Sequence, residues 1–511
     1  MSTKFDDILR ENDPTWSNFH KSESVTPRRH LILDNDRNPN QLESYRRTAR
    51  AMQFLVADAL AHQDGVRAYG GAWSFSDAAV SNGVLFDTRN LNYVFRFQKV
   101  HLHPAFTKPA SSLVLAQAGC KIAFLHNFLA DTLRPPRSLP TCGASNGQTI
   151  AGALSTGTHG AALRTGAIPD YVVGIHLVTG PDRQIWLERA SHPVIADSLP
   201  GPVFEADLVR DDELFNAALV SFGSFGLIAG VLIETDSPFV LRTFAQSVKL
   251  SDLRPALGQV ETPDLSKLAL RDDPERLAHL EIRVNPFKED DAYLSTMFRY
   301  PRAPSNARPV TRPGAHNPGA EVLNLLALVA ETGPLGVKLA GGFASLAFTV
   351  VNDRWGSLRD VFRDTTLPPK GASCAMGVPV EHTSRALDAL LAAHRAGPAP
   401  VIFALRFVKS TSATLGFTYH APVTCVLEID GLDVPATRDF QRRAWAALRA
   451  LGIPLTWHWG KFHDLDSVQK VRTAYGARVD TWLDARRRVL PTADLRKVFS
   501  NPMVQRAGLD A

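Results

Sequence analysis

The sequence predicts an α+β protein of two domains, and three observations carry that prediction. The chain of 511 residues is too long for a single hydrophobic core. Its first half holds two glycine-rich turns, at 67–76 and 139–160, each set among β-type segments. Near residue 240 the character changes to segments poorer in glycine, where helix-like spacing is interleaved with strand candidates. That pattern fits an antiparallel sheet covered by helices.

The elements follow in order. Residues 1–41 are polar and turn-rich, ending in DNDRNPN, and read as an arm over the first domain. In 41–65 Tyr45, Ala49, Met52, Phe54, Leu55, Ala59 and Leu60 recur at near-helical spacing, with Gly65 as the stop. VRAYG, VLFDTRNLNYVFRF, KVHLHPAF and SSLVLAQAG read as strands, and CKIAFLHNFLADTL as a helix. YVVGIHLVTGPDRQIWLERAS is a hairpin turning at Gly180-Pro181-Asp182, and 213–239 gives a short helix, a glycine turn and a strand. Beyond 240, VLRTFAQSVKLSDLRPALGQV has helix-like spacing, LAHLEIRVNPF is a strand, and 301–320, with five prolines, is an exposed loop. The apolar stretch 321–351 reads as a buried helical pair or a wall of the substrate pocket. VEHTSRALDALLAAHRAG is an amphipathic helix, and VIFALRFVKS and VTCVLEIDG are strands.

The second glycine turn organises the rest. Residues 139–160, LPTCGASNGQTIAGALSTGTHG, contain five glycines and no Asp, Glu, Lys or Arg. An ordinary loop is more polar and an ordinary helix poorer in glycine. Such density lets the main chain approach a flat or anionic ligand, while Thr149, Ser155, Thr156 and Thr158 offer short hydrogen-bonding arms. A large cofactor is the natural occupant, the alternative being a glycine-rich bend between core strands. The first turn, RAYGGAWSFS at 67–76, is placed to hold the other end of the same extended molecule.

RAYGGAWSFSD, LFDTRNLN and GASNGQTIAGALSTGTHG, in this order, resemble the PCMH-type flavin domain of the vanillyl-alcohol oxidase family, most of all its sugar-lactone and alditol oxidase branch. The resemblance implies an FAD domain of two α/β subdomains over 1–240, a substrate domain over 241–455 and a C-terminal segment, 456–511, returning to the first domain. It implies that FAD is held by Arg67, Tyr69, Gly70, Gly71, Ala72, Trp73 and Ser74 of the first turn. From the second turn it implies Thr141, Gly143, Ala144, Gly147, Gln148, Thr149, Gly152, Ala153, Thr156, His159 and Gly160, with Ile228 along the adenine.

Oxidation of an alcohol by a flavin needs a group to take the hydroxyl proton and positive charge to stabilise the reduced flavin. The resemblance assigns the positive charge to Arg406, in FALRF, and Lys461, in HWGK. His458 or Glu281 is the candidate proton acceptor; Glu281 and Arg283, two apart on a strand, share one face. Tyr419 and His420 are weaker candidates. For Arg406 the competing role is a structural ion pair, and for His458 and Ile228 it is ordinary core packing.

Two departures from the branch bear on function. Relatives place in the first turn a histidine bonded to the flavin; this chain has Trp73, which implies noncovalent FAD, and Cys142 reads as a buried thiol rather than a substitute tether. Relatives also place a carboxylate two residues before the arginine, where this chain has Ala404. Together with the apolar 321–351 region, that implies a less polar substrate than a polyol.

Composition sets the remaining bounds. A formal charge of +5, from 56 basic and 51 acidic residues, does not suggest a nucleic-acid partner. Four scattered cysteines without CxxC indicate neither a zinc site nor a disulfide framework. The amino terminus lacks the apolar core of a signal peptide, and Glu331, Pro334 and Lys338 break the most apolar region, so the expectation is a cytoplasmic protein without a membrane span. The expected partners are a small-molecule substrate and oxygen or another electron acceptor. Rival readings are a flavin-dependent oxidative cyclase or tailoring enzyme, a non-catalytic FAD-binding protein, and a nicotinamide dehydrogenase with GASNGQ as its dinucleotide loop and Asp170 as the acidic residue.

Overall fold

In the computed structural model, the residues described are 6–35, 40–259, 261–288, 290–310, 330, 333–343, 350–362 and 371–511. Three main sheets carry the architecture, and a two-stranded ribbon, Trp16–Ser17 with Ser24–Val25, stands on the amino-terminal arm.

A four-stranded mixed sheet runs in the order Ile8–Arg10, Arg29–Leu33, Val84–Asp87, Val66–Tyr69. A six-stranded sheet runs Asp207–Arg210, Gln184–Glu188, Val172–Val178, Leu227–Glu234, Leu113–Gln117, Val94–Arg96. The Gln41–His62 helix packs against these sheets through Tyr45, Ala49, Met52, Leu55 and Ala59, all 1% exposed or less. Its amino end is capped by the Asn40 side chain, which satisfies otherwise orphan backbone N–H groups. The helix stops at Gln63 in the left-handed conformation rather than at Gly65.

The remaining strands form an eight-stranded, wholly antiparallel sheet in the order Val351–Gly356, Val240–Lys249, Asp291–Tyr300, Leu277–Val284, Val401–Lys409, Val423–Leu432, Gly371–Pro379, Thr456–Trp457. Helices Thr383–Ala396 and Pro435–Ala450 pack on each other, burying Leu387, Leu390, Phe440 and Ala444. Helices beyond 467 return to the early part of the chain: Arg478–Val489 packs on Asp212–Leu219, and Asn501 Nδ2 donates to the carbonyls of Asp77 and Ala78.

Three expected elements differ. The expected arm 1–41 is partly sheet, since Ile8–Arg10 and Arg29–Leu33 are paired strands whose Ile8, Leu31 and Leu33 are buried in the core. KVHLHPAF contains a 3₁₀ turn, Lys99–His101, and a single bridge from Leu102 to Ile195 instead of a strand. Residues 240–249 form a ten-residue strand where helix-like spacing had suggested otherwise, because pairing along both edges with Asp291–Tyr300 and Val351–Gly356 outweighs local periodicity. Of the proline-rich 301–320 loop, 311–320 lies outside the described residues; in the apolar 321–351 stretch the helix Pro334–Phe343 is described and most of the remainder is not.

Candidate active site

The sheets meet around a cavity of about 550 Å³, within the range of roughly 300–1,000 Å³ usual for ligand clefts. The first glycine turn leaves the Val66–Tyr69 strand and contributes Arg67, Tyr69, Gly70, Gly71, Ala72, Trp73 and Ser74 to its wall. Ala72 has φ +54°, a left-handed conformation uncommon for a residue with a Cβ. Trp73 is stacked on Phe19 of the amino-terminal arm, with ring centroids 4.4 Å apart and planes 11° apart. The arm itself supplies Trp16 and His20 to the wall.

The second turn contributes Gly143, Ala144, Gln148, Thr149, Gly152, Thr156 and His159, ending in the short helix Ile150–Thr156. The two turns are pressed together: a Cβ on Gly71 would stand 2.6 Å from the Gly147 carbonyl oxygen, so only glycine permits this approach. Ile228 lines the cavity beside a β-bulge between Ile228 and Gly230. Thr141, Gly147, Ala153 and Gly160 stand behind the wall rather than in it; Gly147 and Gly160 are sites of close main-chain approach, with a Gly160 Cβ reaching 2.6 Å from Cys142 O. Cys142 and His420 are buried away from the cavity, and half-buried Tyr419, whose hydroxyl donates to Ala474 O, does not line it either. Asp170, also outside the wall, accepts from Ala167 N and Thr411 Oγ1, which removes the acidic residue that the nicotinamide reading requires.

Arg67 carries the least compensated charge in the wall. It is 2% exposed, its Nη1 donates to Phe222 O at 2.8 Å, and its Nε and Nη2 are buried without a hydrogen-bond partner. Burial and the neighbouring Arg486 push its pKa down to about 9. A buried guanidinium without an anion is costly, and an anionic group in the cavity would relieve it.

Opposite the glycine turns, one face of the eight-stranded sheet presents a charged cluster. Arg406 and Lys461 both line the cavity, and between them sits Glu428, fully buried. Lys461 Nζ is 2.5 Å from Glu428 Oε1, Arg406 Nη1 is 3.2 Å from that oxygen and 3.1 Å from Oε2, and His159 Nε2 is 3.5 Å from Oε1. Burial alone would raise the Glu428 pKa, but Arg406 and Lys461 overrule it and hold the carboxylate charged. Glu281 is placed differently from the expectation of a pocket residue. It stands behind Arg406, accepting from Arg406 Nε at 2.9 Å and Arg283 Nη2 at 2.8 Å, and does not line the cavity. Against the effect of burial, Arg283 and Arg406 bring its pKa down to about 2. Both of its oxygens are engaged, and it is placed to position Arg406.

His458 lines the cavity with its Nδ1 accepting from Gly460 N at 2.9 Å. Burial, reinforced by His159 and Lys461, lowers its pKa well below the ordinary value. Burial likewise lowers His159 to about 4, against the pull of Glu428. Both imidazoles are therefore neutral near pH 7.

Glu428, Asp430 and Ser373 line this cavity and were not singled out from sequence. The available signal was two carboxylates, two residues apart, in the otherwise apolar strand VTCVLEIDG. The carboxylate missing at Ala404 has a counterpart directly across the sheet, since Ala404 pairs with Glu428.

Residues 45–187 match the family described as FAD binding domain. The chain is 31% identical over 192 residues to a long-chain alcohol oxidase of an uncultured marine euryarchaeote, covering 37% of this chain and 34% of that protein. It is 27% identical over 261 residues to an L-gulono-1,4-lactone dehydrogenase of Mycobacterium tuberculosis, covering 51% of this chain and 48% of that protein. The chain thus matches less than half the length of these relatives. Among solved structures, cholesterol oxidase from B. sterolicum superposes with a TM-score of 0.69 at 16% identity, covering 99% of this chain and 98% of the other. A carbohydrate oxidase from Microdochium nivale gives 0.60 at 12% identity, over 95% and 93%. The fold is that of PCMH-type FAD-binding oxidases. The donor set fits the cofactor: the unpaired Arg67 guanidinium suits an anionic dinucleotide, and the Cβ-free turns admit it against main chain. Among the described residues no group of His, Cys, Asp and Glu could hold a metal ion, and no helix is long and apolar enough to cross a membrane.

Proposed function

We propose that the protein is an FAD-dependent oxidoreductase that oxidises a C–OH group, with oxygen as the electron acceptor and the flavin held without a covalent bond. The observation that carries this reading is the sharing of one cavity by the glycine turns with their unpaired Arg67 and by the Arg406–Glu428–Lys461 cluster. Bound FAD would supply the hydride acceptor. Everything else falls to the chain's own residues.

Arg67 binds the anionic part of the cofactor, and the two turns fix its ends. Arg406 and Lys461 hold positive charge at the wall, where charge developing on the reduced cofactor is stabilised in surroundings with little water. Glu428 keeps both cations in place, and Glu281 orients Arg406 from behind. Neutral His159 and His458 fill the space beside Lys461 without adding charge. Noncovalent attachment is supported by Trp73 in the first turn and by the withdrawal of Cys142 from the wall. Pro400, Ile402 and Leu432, with Ala340 of the Pro334–Phe343 helix, bound the cavity and favour an alcohol with an apolar skeleton.

The test is anaerobic mixing of the FAD-loaded protein with a long-chain primary alcohol, a sterol and an aldono-1,4-lactone, followed by admission of oxygen. The expected result is bleaching of the flavin by at least one, fastest for the apolar alcohols, and return of the yellow colour with oxygen. Flavin that none of the three bleaches would overturn the proposal, and bleached flavin that oxygen does not restore would overturn its oxidase part.

A further inference from the structure

Asp430 belongs to the cavity wall but to none of the ion pairs that fix its neighbours. On the face of the large sheet turned toward the cavity, the cross-strand register sets Ser373, Asp430 and Ile402 in one row. Ala375, Glu428 and Ala404 form the next, and Val426, Arg406 and Glu281 the third. Alternate residues of a strand share a face, so the two carboxylates of Val423–Leu432 point the same way.

Their surroundings differ sharply. Glu428 is fully buried between small Ala375 and Ala404 and takes up Arg406 and Lys461. Asp430 is half-buried, its Oδ1 accepts from Ser373 Oγ at 2.5 Å, and its Oδ2 has no hydrogen-bond or ion-pair partner among the described residues. One oxygen of Asp430 is thus fixed and the other is unengaged on a residue of the cavity wall.

The geometry points to Asp430 as the group that receives the substrate hydroxyl: Oδ2 accepts its hydrogen bond and then its proton. This rests on the function proposed above and deepens it. The step balances: the hydroxyl proton goes to Asp430 Oδ2, the carbinol C–H pair leaves as hydride to the FAD that the proposed activity requires, and C–OH becomes C=O. The electrostatics agree. Burial, and then the fixed negative charge of Glu428, raise the proton affinity of Asp430 above that of an ordinary aspartate, while Lys461, Arg406 and the Ser373 hydroxyl act the other way. A carboxylate made more basic and left with a free oxygen is better suited to accept a proton than Glu281 or Glu428, whose charges are consumed by arginine and lysine.

The experiment compares wild type, Asp430→Asn and Ser373→Ala as FAD-loaded proteins, following anaerobic flavin reduction by 1-dodecanol against pH. Infrared spectra of 13C-carboxyl-aspartate-labelled protein are recorded alongside. In wild type the reduction rate falls on the acid side as Asp430 takes up its proton, and a carboxylic-acid band titrates with the same midpoint. Asp430→Asn is expected to bind FAD normally, to reduce its flavin roughly a hundredfold or more slowly, and to lose both the acid limb and the band. Ser373→Ala, which removes a hydrogen bond to the charged form, is expected to move the acid limb to higher pH. An Asp430→Asn protein that reduces its flavin at the wild-type rate with the acid limb intact would overturn the assignment and leave the proposed function standing. So would an unshifted limb in Ser373→Ala. Wild-type flavin that the alcohol does not bleach would instead remove the function and the assignment with it.

Discussion

Lys461 Nζ lies 2.5 Å from Glu428 Oε1, and Arg406 reaches the same carboxylate from the neighbouring strand, so one fully buried acid holds two cavity cations. Glu428→Ala leaves those cations without their counter-ion. Removing one partner of a buried ion pair costs about 3–5 kcal/mol, and the expected outcome is a loss of that order in urea denaturation. Glu428→Gln, which keeps the shape and one hydrogen-bond acceptor, should cost less.

Arg67→Met separates cofactor binding from stability. The wild-type guanidinium is buried with Nε and Nη2 unpaired; replacing it with a thioether removes an uncompensated charge from the apoprotein. The apoprotein should hold its melting temperature or gain, while FAD affinity falls. Loss of a charge-assisted hydrogen bond of about 1.5–3 kcal/mol corresponds to roughly a ten- to hundredfold weaker Kd. Fluorescence titration with FAD and thermal melting of the apoprotein check the two halves.

Gly71→Ala tests the close approach of the two turns. The added methyl would sit 2.6 Å from the Gly147 carbonyl oxygen, a backbone atom unable to move aside alone. Overpacking of this kind costs about 1–3 kcal/mol, and the displaced turns should lose FAD. Gly152→Ala is the control for fold: the nearest atom is Thr149 Oγ1 at 3.2 Å, so its effect on the apoprotein's melting temperature should be smaller.

The Glu281 prediction concerns pH. Its folded-state pKa, about 2, is below the ordinary glutamate value of 4.5. The folded protein therefore gives up this proton more readily than the unfolded chain. The resulting stability is fully present above pH 4.5 and is lost as pH falls through about 2. Glu281→Gln should cost about 3 kcal/mol at neutral pH. In urea titrations between pH 7 and pH 2, its difference from wild type should narrow as acid is added; a gap constant in pH would contradict the ion-pair origin.

What was legible in the sequence was local. The two glycine turns declare themselves by composition, since Gly70, Gly71 and Gly160 each occupy a place where a Cβ would strike a neighbour. Arg406 and Lys461 came from short motifs and do face one cavity. The pairing of Glu428 with both, and the freedom of Asp430, were not legible, because they depend on which residue of one strand lies opposite which residue of the next. Nothing within VTCVLEIDG encodes that Ser373 and Ala404 are its neighbours. Glu281 illustrates the converse: two-residue spacing set it on the same face as Arg283, yet the guanidiniums of Arg283 and Arg406 take both its oxygens and it stands behind the wall. The 240–249 strand was missed for the same reason, since its partners lie far along the chain.

The central claim is that the cavity between the glycine turns and the charged sheet face holds FAD without a bond to the chain. Acid precipitation of the FAD-loaded protein tests it most directly. The account predicts a yellow supernatant containing FAD in stoichiometric amount and a colourless pellet. Colour retained in the washed pellet would contradict noncovalent attachment, and a protein that takes up no FAD at all would contradict the site itself.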